Sequence, residues 1–443
     1  ALRYIFYFEG EKSMKKRILI FSLLIVLLLP VLTTTAAQDS AWRVESLVRL
    51  SEALAGFNTP PHLIYLAPDG RHVAYGVKDD NTVCSVDIPT RQESCLALPP
   101  ELRYAFPLED IFPAMRWSTD STKIALVGVP YKYFFDADLG LADFSGPVPT
   151  FTNLADDGVV GGMRPGSFDP AMTLEVNPAF SPDGAQIAVE QTGVIPEGQF
   201  AQSTVSIFDL TTGEVRDLST LPGNKVYQVD AGSILSMDWS PDGTTLAVAL
   251  RHQQLEPLYD GIWLVDVASG QWTRVVTPAG ALAAMQTIFP GIDDIFAATP
   301  VRWSPDGSRL LFWAGNPSRF DSRPWVFWLD LESGYVTPIE LPAHPNDPSN
   351  FRLIWPYQAV WSPDGSQLLV AARLETPPDP EEAMPLVETD EALGMALYLI
   401  DISSGDLTLL GHLPLEAAPI YVAAWGPDGD VIAGGFSFKL VHE

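Results

Sequence analysis

The chain is poor in the residues that most often announce a function. Beyond Arg17, lysine occurs only at Lys78, Lys123, Lys132, Lys225 and Lys439, and the formal net charge is −29. So acidic a surface repels phosphate backbones and anionic headgroups, which excludes nucleic acid as an expected partner. The 6 histidines, His62, His72, His252, His344, His412 and His442, fall at no zinc-binding spacing. No Gly-x-Ser-x-Gly nucleophile elbow is present. Asp136 and Asp138 before Gly140 lack the further oxygen ligands of a calcium loop. No catalytic residue, metal or cofactor is therefore expected. Long helices are disfavoured as well, because 39 prolines and 33 glycines are spread along the 443 residues. That distribution suits many short strands joined by turns.

Long apolar runs are also missing, with one exception. Met14-Lys15-Lys16-Arg17 is basic, Ile18–Leu32 is almost wholly apolar, and Thr35-Ala36-Ala37 supplies small residues for cleavage. That order predicts a secretory signal peptide over 14–37 and an extracytoplasmic protein, secreted, periplasmic or at the cell surface. The run is shorter than the roughly 20 residues of a spanning helix, so no membrane span is expected in the mature chain. Residues 1–13 precede the basic segment without an initiator Met, and Glu9-Gly10-Glu11 can be encoded by a ribosome-binding sequence. They are expected to be untranslated leader read in frame. In an exported chain, the pair Cys84 and Cys95, flanking a predicted turn at Ile88–Gln92, predicts a disulfide.

What the sequence has in abundance is one short motif. Six segments read bulky residue, small residue, Pro-Asp-Gly: Leu66–Gly70, Phe180–Gly184, Trp239–Gly243, Trp303–Gly307, Trp361–Gly365 and Trp425–Gly429, with a degenerate seventh at Trp117–Ser121. Their aspartates are Asp69, Asp120, Asp183, Asp242, Asp306, Asp364 and Asp428, spaced 51 to 64 residues apart. Proline presets φ, aspartate suits the next position and glycine accepts the left-handed return, so each is a tight turn and each aspartate is expected to be structural. An apolar residue follows four positions past each aspartate: Val73, Ile124, Ile187, Leu246, Leu310, Leu368 and Ile432. A second turn, strand-Asp to Gly, recurs at Asp209–Gly213, Asp266–Gly270, Asp330–Gly334 and Asp401–Gly405. Asp87 with Arg91 replaces it in the first repeat, and Asp136–Gly140 is its expected place in the second.

Two hairpins per repeat make four antiparallel strands, repeated seven times. From about Pro61 to the last residues the chain resembles the TolB-like, WD40-like β-propeller repeat proteins, in which Trp-Ser-Pro-Asp-Gly closes the innermost hairpin of each blade. The expected fold is all-β, a seven-bladed β-propeller over 61–443. After Gly429 one strand, Asp430–Phe438, is expected. Trp42–Leu50, within the segment 38–60, is expected to complete the last blade and close the ring.

In such a meander both kinds of tight turn emerge on one face. The long connections then fall on the other: Ala137–Glu175, Glu190–Gln202, Arg251–Gly261, Pro278–Thr299, Ala314–Pro324, Pro342–Trp355 and Arg373–Gly394. Binding residues are sought among them. The candidates are Tyr131, Tyr133, Arg251, His252, Tyr259, Arg319, Phe320, Arg323, Trp355 and Tyr357, the arginines for carboxylate or phosphate. The functional expectation is a non-catalytic, monomeric scaffold that binds a protein or peptide. A carbohydrate- or peptide-active propeller enzyme and a ligand-sensing module of a cell-envelope system are the alternatives.

Overall fold

Each Pro-Asp-Gly turn joins an inner strand to its antiparallel neighbour, and the repetition of that joint sets the architecture. The computed structural model describes residues 42–56, 64–77, 81–99, 102–104, 115–130, 138–155, 173–195, 199–222, 233–251, 259–292, 295–315, 325–342, 354–374, 377–378, 383–387, 389–414 and 423–442. The leader and signal segments expected at 1–37 lie outside them. Among the described residues, no helix is long and apolar enough to cross a membrane.

Seven antiparallel sheets stand in a ring, a seven-bladed β-propeller. Blade 4 shows the pattern, inside to outside: Ser233–Trp239, Thr245–Arg251, Gly261–Asp266 and Trp272–Val276. Blade 1 runs from Ile64–Leu66 to Gln92–Ala97, blade 3 from Thr173–Phe180 to Val215–Thr220, blade 5 from Phe296–Trp303 to Val336–Pro338 and blade 6 from Ile354–Trp361 to Leu407–Pro414. In blade 2 two short strands, Leu102–Tyr104 and Met115–Trp117, share the inner position against Lys123–Pro130.

The core divides as this arrangement requires. The buried apolar residues fall into clusters, each between two adjacent blades. Leu246 and Val248 of blade 4 meet Val205 and Ile207 of blade 3, and Leu310 and Phe312 of blade 5 meet Ala247 and Ile262 of blade 4. A sheet buried on both faces needs apolar residues at odd and even positions alike. The second strand of blade 5, Arg309–Gly315, is accordingly apolar from Leu310 to Ala314. The motif residue four past the aspartate packs against the preceding blade in blades 1 to 6.

Blade 7 corrects the sequence reading at two points. Asp430–Phe438 is two strands, Asp430–Ala433 and Phe436–His442, reversed at Gly434-Gly435, both of which have positive φ. Its Pro-Asp-Gly turn is also one residue tighter. Gly426 N donates to Asp430 O, four residues on, where Ser240 N donates to Thr245 O, five residues on. Trp425 therefore pairs with Val431, and Val431 rather than Ile432 faces the preceding blade; Ile432 packs on blade 1. A one-residue slip exchanges the two faces of a strand. The fourth strand is the expected one, Trp42–Arg49, paired antiparallel with Phe436–His442. Arg49 at its end makes a two-pronged ion pair with Glu391, at 3.0 and 3.1 Å.

Three expected long connections are shorter than the sequence suggests. Within Ala137–Glu175, blade 2 places its outer strands Asp138–Asp143 and Thr150–Asn153, so its second turn follows Asp143 and not Asp136. Gly140 is a strand residue opposite Leu126. Within Glu190–Gln202 the strands continue, with Val194 paired to Phe200. Pro278–Gln286 is a helix, capped by Thr277 Oγ1 accepting from Gly280 N at 3.0 Å and packed through Ala281 and Met285 on blades 4 and 5.

Candidate functional site

The seven tight turns each join the innermost strand of a blade to its neighbour, and six of their aspartates, all but Asp428, are bonded within their own turns. In blade 4, Ser240 Oγ donates to Asp242 Oδ1 at 2.6 Å and accepts from Thr245 N at 2.9 Å, while Asp242 Oδ1 also accepts from Thr244 N at 3.0 Å. Blades 3, 5 and 6 repeat this geometry at Asp183, Asp306 and Asp364. The Ser240 hydroxyl, then the Thr244 N–H, hold the Asp242 carboxyl below its ordinary range, and Ser362 does the same for Asp364. Carboxylates so bonded brace their own turns.

Blade 1 departs from the pattern because residue 67 is alanine. Asp69 Oδ1 accepts from both Arg71 N and His72 N, at 2.9 and 3.0 Å, replacing the missing serine oxygen. Asp69 Oδ2 lies 2.5 Å from His72 Nδ1, and Asp87 Oδ2 lies 3.7 Å from Nε2. The Asp69 hydrogen bond raises the pKa of the imidazole, burial opposes it, and the Asp69 and Asp87 charges add to the rise.

Among the described residues, one charged cluster on the innermost strands comes from a position the sequence reading passed over. The residue just before the bulky residue of each motif is Tyr65, Arg116, Ala179, Asp238, Arg302, Val360 or Ala424. Arg116 Nη2 donates to Asp238 Oδ1 at 2.9 Å. These residues belong to blades 2 and 4, which are not neighbours, so the bond runs along the inner edge of blade 3. Ala179, the residue there, is small enough to let it pass. Asp238 Oδ2 accepts from Trp303 N of blade 5 at 2.9 Å, tying the carboxylate to the next blade. Arg302 Nη1 donates to Val301 O at 2.7 Å. Burial, then the Arg116 charge, pushes the Arg302 pKa down to about 9, against the pull of Asp238. The guanidinium remains charged at neutral pH.

The wall behind this cluster is pinned. Trp117, Trp239 and Trp303 each donate Nε1 to a carbonyl of the preceding blade, at Tyr65 (3.0 Å), Ala179 (2.9 Å) and Asp238 (3.1 Å). Buried polar side chains at β-bulges bridge blades further from the turns. Asn177 Nδ2 donates to Ile234 O at 2.6 Å, and Gln358 Oε1 accepts from Gly434 N at 2.6 Å.

The described structure does not gather the sequence-based candidates into one site. Tyr131, Tyr133, His252, Arg319, Phe320 and Arg323 lie outside the described residues. Arg251 ends the second strand of blade 4, and Trp355 and Tyr357 lie on the inner strand of blade 6 rather than in a loop; their side chains fall outside the described part. Tyr259 is half-buried before the third strand of blade 4, its carbonyl accepting from Trp263 Nε1 at 2.9 Å. Cys84 and Cys95 are directly opposed on blade 1 and joined by a disulfide, with Cα atoms 4.1 Å apart. Arg116, Asp238 and Arg302 had one signal in the sequence: a charge in the register where the other repeats carry Tyr, Ala or Val.

No protein-family model matches the chain, and no curated protein matches it. Solved structures similar to it include an oligogalacturonate lyase from Vibrio parahaemolyticus, 12% identical over 90% of this chain and 95% of that one, with a TM-score of 0.48. The Swd1 β-propeller domain from Myceliophteria thermophila is 12% identical over 90% of this chain and 99% of that one, TM-score 0.43. A prolyl endopeptidase is 13% identical over 81% of this chain and 51% of that one, TM-score 0.43. The propeller assignment stands on the strand order of the chain itself.

Proposed function

We propose that the chain is an exported, TolB-like binding propeller, non-catalytic, that docks a protein or peptide segment on the face opposite its Pro-Asp-Gly turns. The observation that supports this reading is the asymmetry of the two faces. In blades 3 to 6 every turn aspartate is bonded to its own serine and backbone, which leaves one rim uniform. The described strands that the connections of individual length and composition join end on the other side, where a rigid scaffold presents variable segments.

A peptide library panned on the purified chain, followed by hydrogen exchange of the complex, tests it. The expected result is protection of the long connections, with binding lost in Tyr259→Ala and in the double variant Arg319→Ala, Arg323→Ala. Protection confined to the tight turns, or turnover of peptide or glycan substrates, overturns the reading.

A further inference from the structure

We propose that the channel cluster of Arg116, Asp238 and Arg302 is a binding site for a monoanionic carboxylate. The proposal rests on the reading of the chain as a binding propeller and adds the chemistry of the ligand group.

The argument begins with charge. One carboxylate, Asp238, is engaged by Arg116 and by Trp303 N, both at 2.9 Å, and a second guanidinium, Arg302, feels the charges of both Arg116 and Asp238. Arg302 is half-buried, and among the described residues no carboxylate pairs with it; its own preceding carbonyl is its hydrogen-bond partner. Asp238 draws on Arg302, but its carboxylate is already shared with Arg116, so a partly desolvated cation has less than a full counter-charge and a group that supplies the rest is favoured there. This positive surplus sits inside a protein of net charge −29, where the overall field repels anions. Only a local site can hold one.

Geometry and valence then narrow the anion. A guanidinium offers a planar fork of N–H donors that matches the two oxygens of a carboxylate. Counted over Arg116, Asp238 and Arg302 among the described residues, the surplus is one positive charge, so a monoanion closes the balance. A phosphate dianion would overshoot it and set its second charge against Asp238. Ala179 in the neighbouring blade leaves the inner edge unobstructed between Arg116 and Asp238, and the Trp303 bond holds Asp238 in place. The cluster is therefore built before a ligand arrives, which lowers the ordering cost of binding.

Thermal unfolding of the full chain tests this in sodium acetate, sodium phosphate and sodium chloride at matched ionic strength and pH 7.5. The expected result is a saturable rise in Tm with acetate and not with the other two salts. Arg302→Gln is expected to weaken the apparent acetate affinity about tenfold or more. Should that variant fail to fold, Arg116→Gln, on another blade, makes the same test. Asp238→Asn raises the surplus to two charges and is expected to turn the preference towards phosphate. A tripeptide with a free carboxyl terminus, compared with its amide, separates the sources. A rise with the free-acid form assigns the site to a peptide carboxylate, and a rise with acetate alone assigns it to a small acid; either sustains the proposal. Equal effects of acetate and phosphate on the unmodified chain, or full acetate affinity in both arginine variants, overturn it. A panned peptide that protects the loop face while acetate does nothing overturns the channel site alone and leaves the binding reading standing.

Discussion

The arc from blade 3 to blade 6 and the seam between blades 7 and 1 are built from the same motif, yet they hold together differently. Along the arc, four copies of Ser-Pro-Asp-Gly make the same serine–aspartate bond, and neighbouring turns approach loosely. A Cβ added at Gly307 would meet Pro241 at 3.6 Å, and one at Gly365 would meet Pro305 at 3.5 Å. At the seam both serines are missing, as Ala67 and Gly426, and the backbones interlock. A Cβ at Gly426 would fall 1.8 Å from Asp69 O, and one at Gly70 would fall 2.0 Å from Asp430 O. The two departures from the repeat mark the place where the ring closes on itself. Closure here is steric and backbone-based, whereas the arc relies on side-chain hydrogen bonds.

The sharpest way to break this comparison is to restore the motif. Gly426→Ser gives blade 7 the residue that serves five other blades, and consensus reasoning would expect a gain. The contact with Asp69 O makes it a loss, about 3 kcal/mol of unfolding free energy by the cost of overpacking a rigid site. Ser240→Gly removes a hydroxyl bond from the arc and is expected to cost about 1–2 kcal/mol. Urea denaturation of both variants checks the ranking. A Gly426→Ser chain as stable as its parent would end the claim that the seam is sterically locked.

How far the sequence revealed this depends on what kind of information each feature needs. The repeat is local, so the turns, the four-strand meander and the ring were legible from the spacing of Trp, Asp and Gly. Even Arg91, in the place of a glycine, takes the left-handed conformation that its position demands, at φ 56°. Ring closure by Trp42–Arg49 was legible because blade 7 ran short of strands. The slip in blade 7 was not, because a one-residue shortening leaves apolar residues at both 431 and 432 and the pattern fits either register. The Arg116–Asp238 pair was not legible at all. Its partners are 122 residues apart and meet only because the ring brings blades 2 and 4 to one axis. Blade 2 was misread at Asp136 for the opposite reason: an Asp-to-Gly spacing ends on Gly140, which is a strand residue, while the true turn after Asp143 has no matching glycine spacing.

A smaller effect separates copies within the arc. Trp303 Nε1 donates to Asp238 O, whereas Trp361 Nε1 is buried and has no hydrogen-bond partner among the described residues. Both indoles fill the same inter-blade position. Trp303→Phe therefore removes packing volume and a bond, and Trp361→Phe removes volume while relieving an unpaired donor. The first is expected to cost about 1 kcal/mol more than the second in paired denaturation curves. Equal losses would mean that the indole bond contributes nothing to holding adjacent blades.

The smallest effect, and the most specific to the seam, is its pH dependence. The arc aspartates have folded pKa values below their ordinary range, so their contribution is present above the unfolded carboxylate pKa and is lost only as pH falls through the folded values, in strong acid. His72 has the opposite sign. Its folded pKa is raised above 6.5, so its contribution is complete below that value and is lost as pH rises through the raised one. From pH 6 to pH 8 the unmodified chain should lose a little stability, and the loss should come from the seam, since no arc aspartate titrates there and Arg302, with a pKa of about 9, stays mostly charged. Both His72 and Asp69 are partly exposed, which screens the pair and keeps the effect small. His72→Asn retains a ring-sized polar side chain without a titrating group, and its denaturation midpoint should be flat over that range. If the variant keeps the parent's slope, the Asp69–His72 pair does not tune the seam, and closure is left to the interlocked backbones of Gly70 and Gly426.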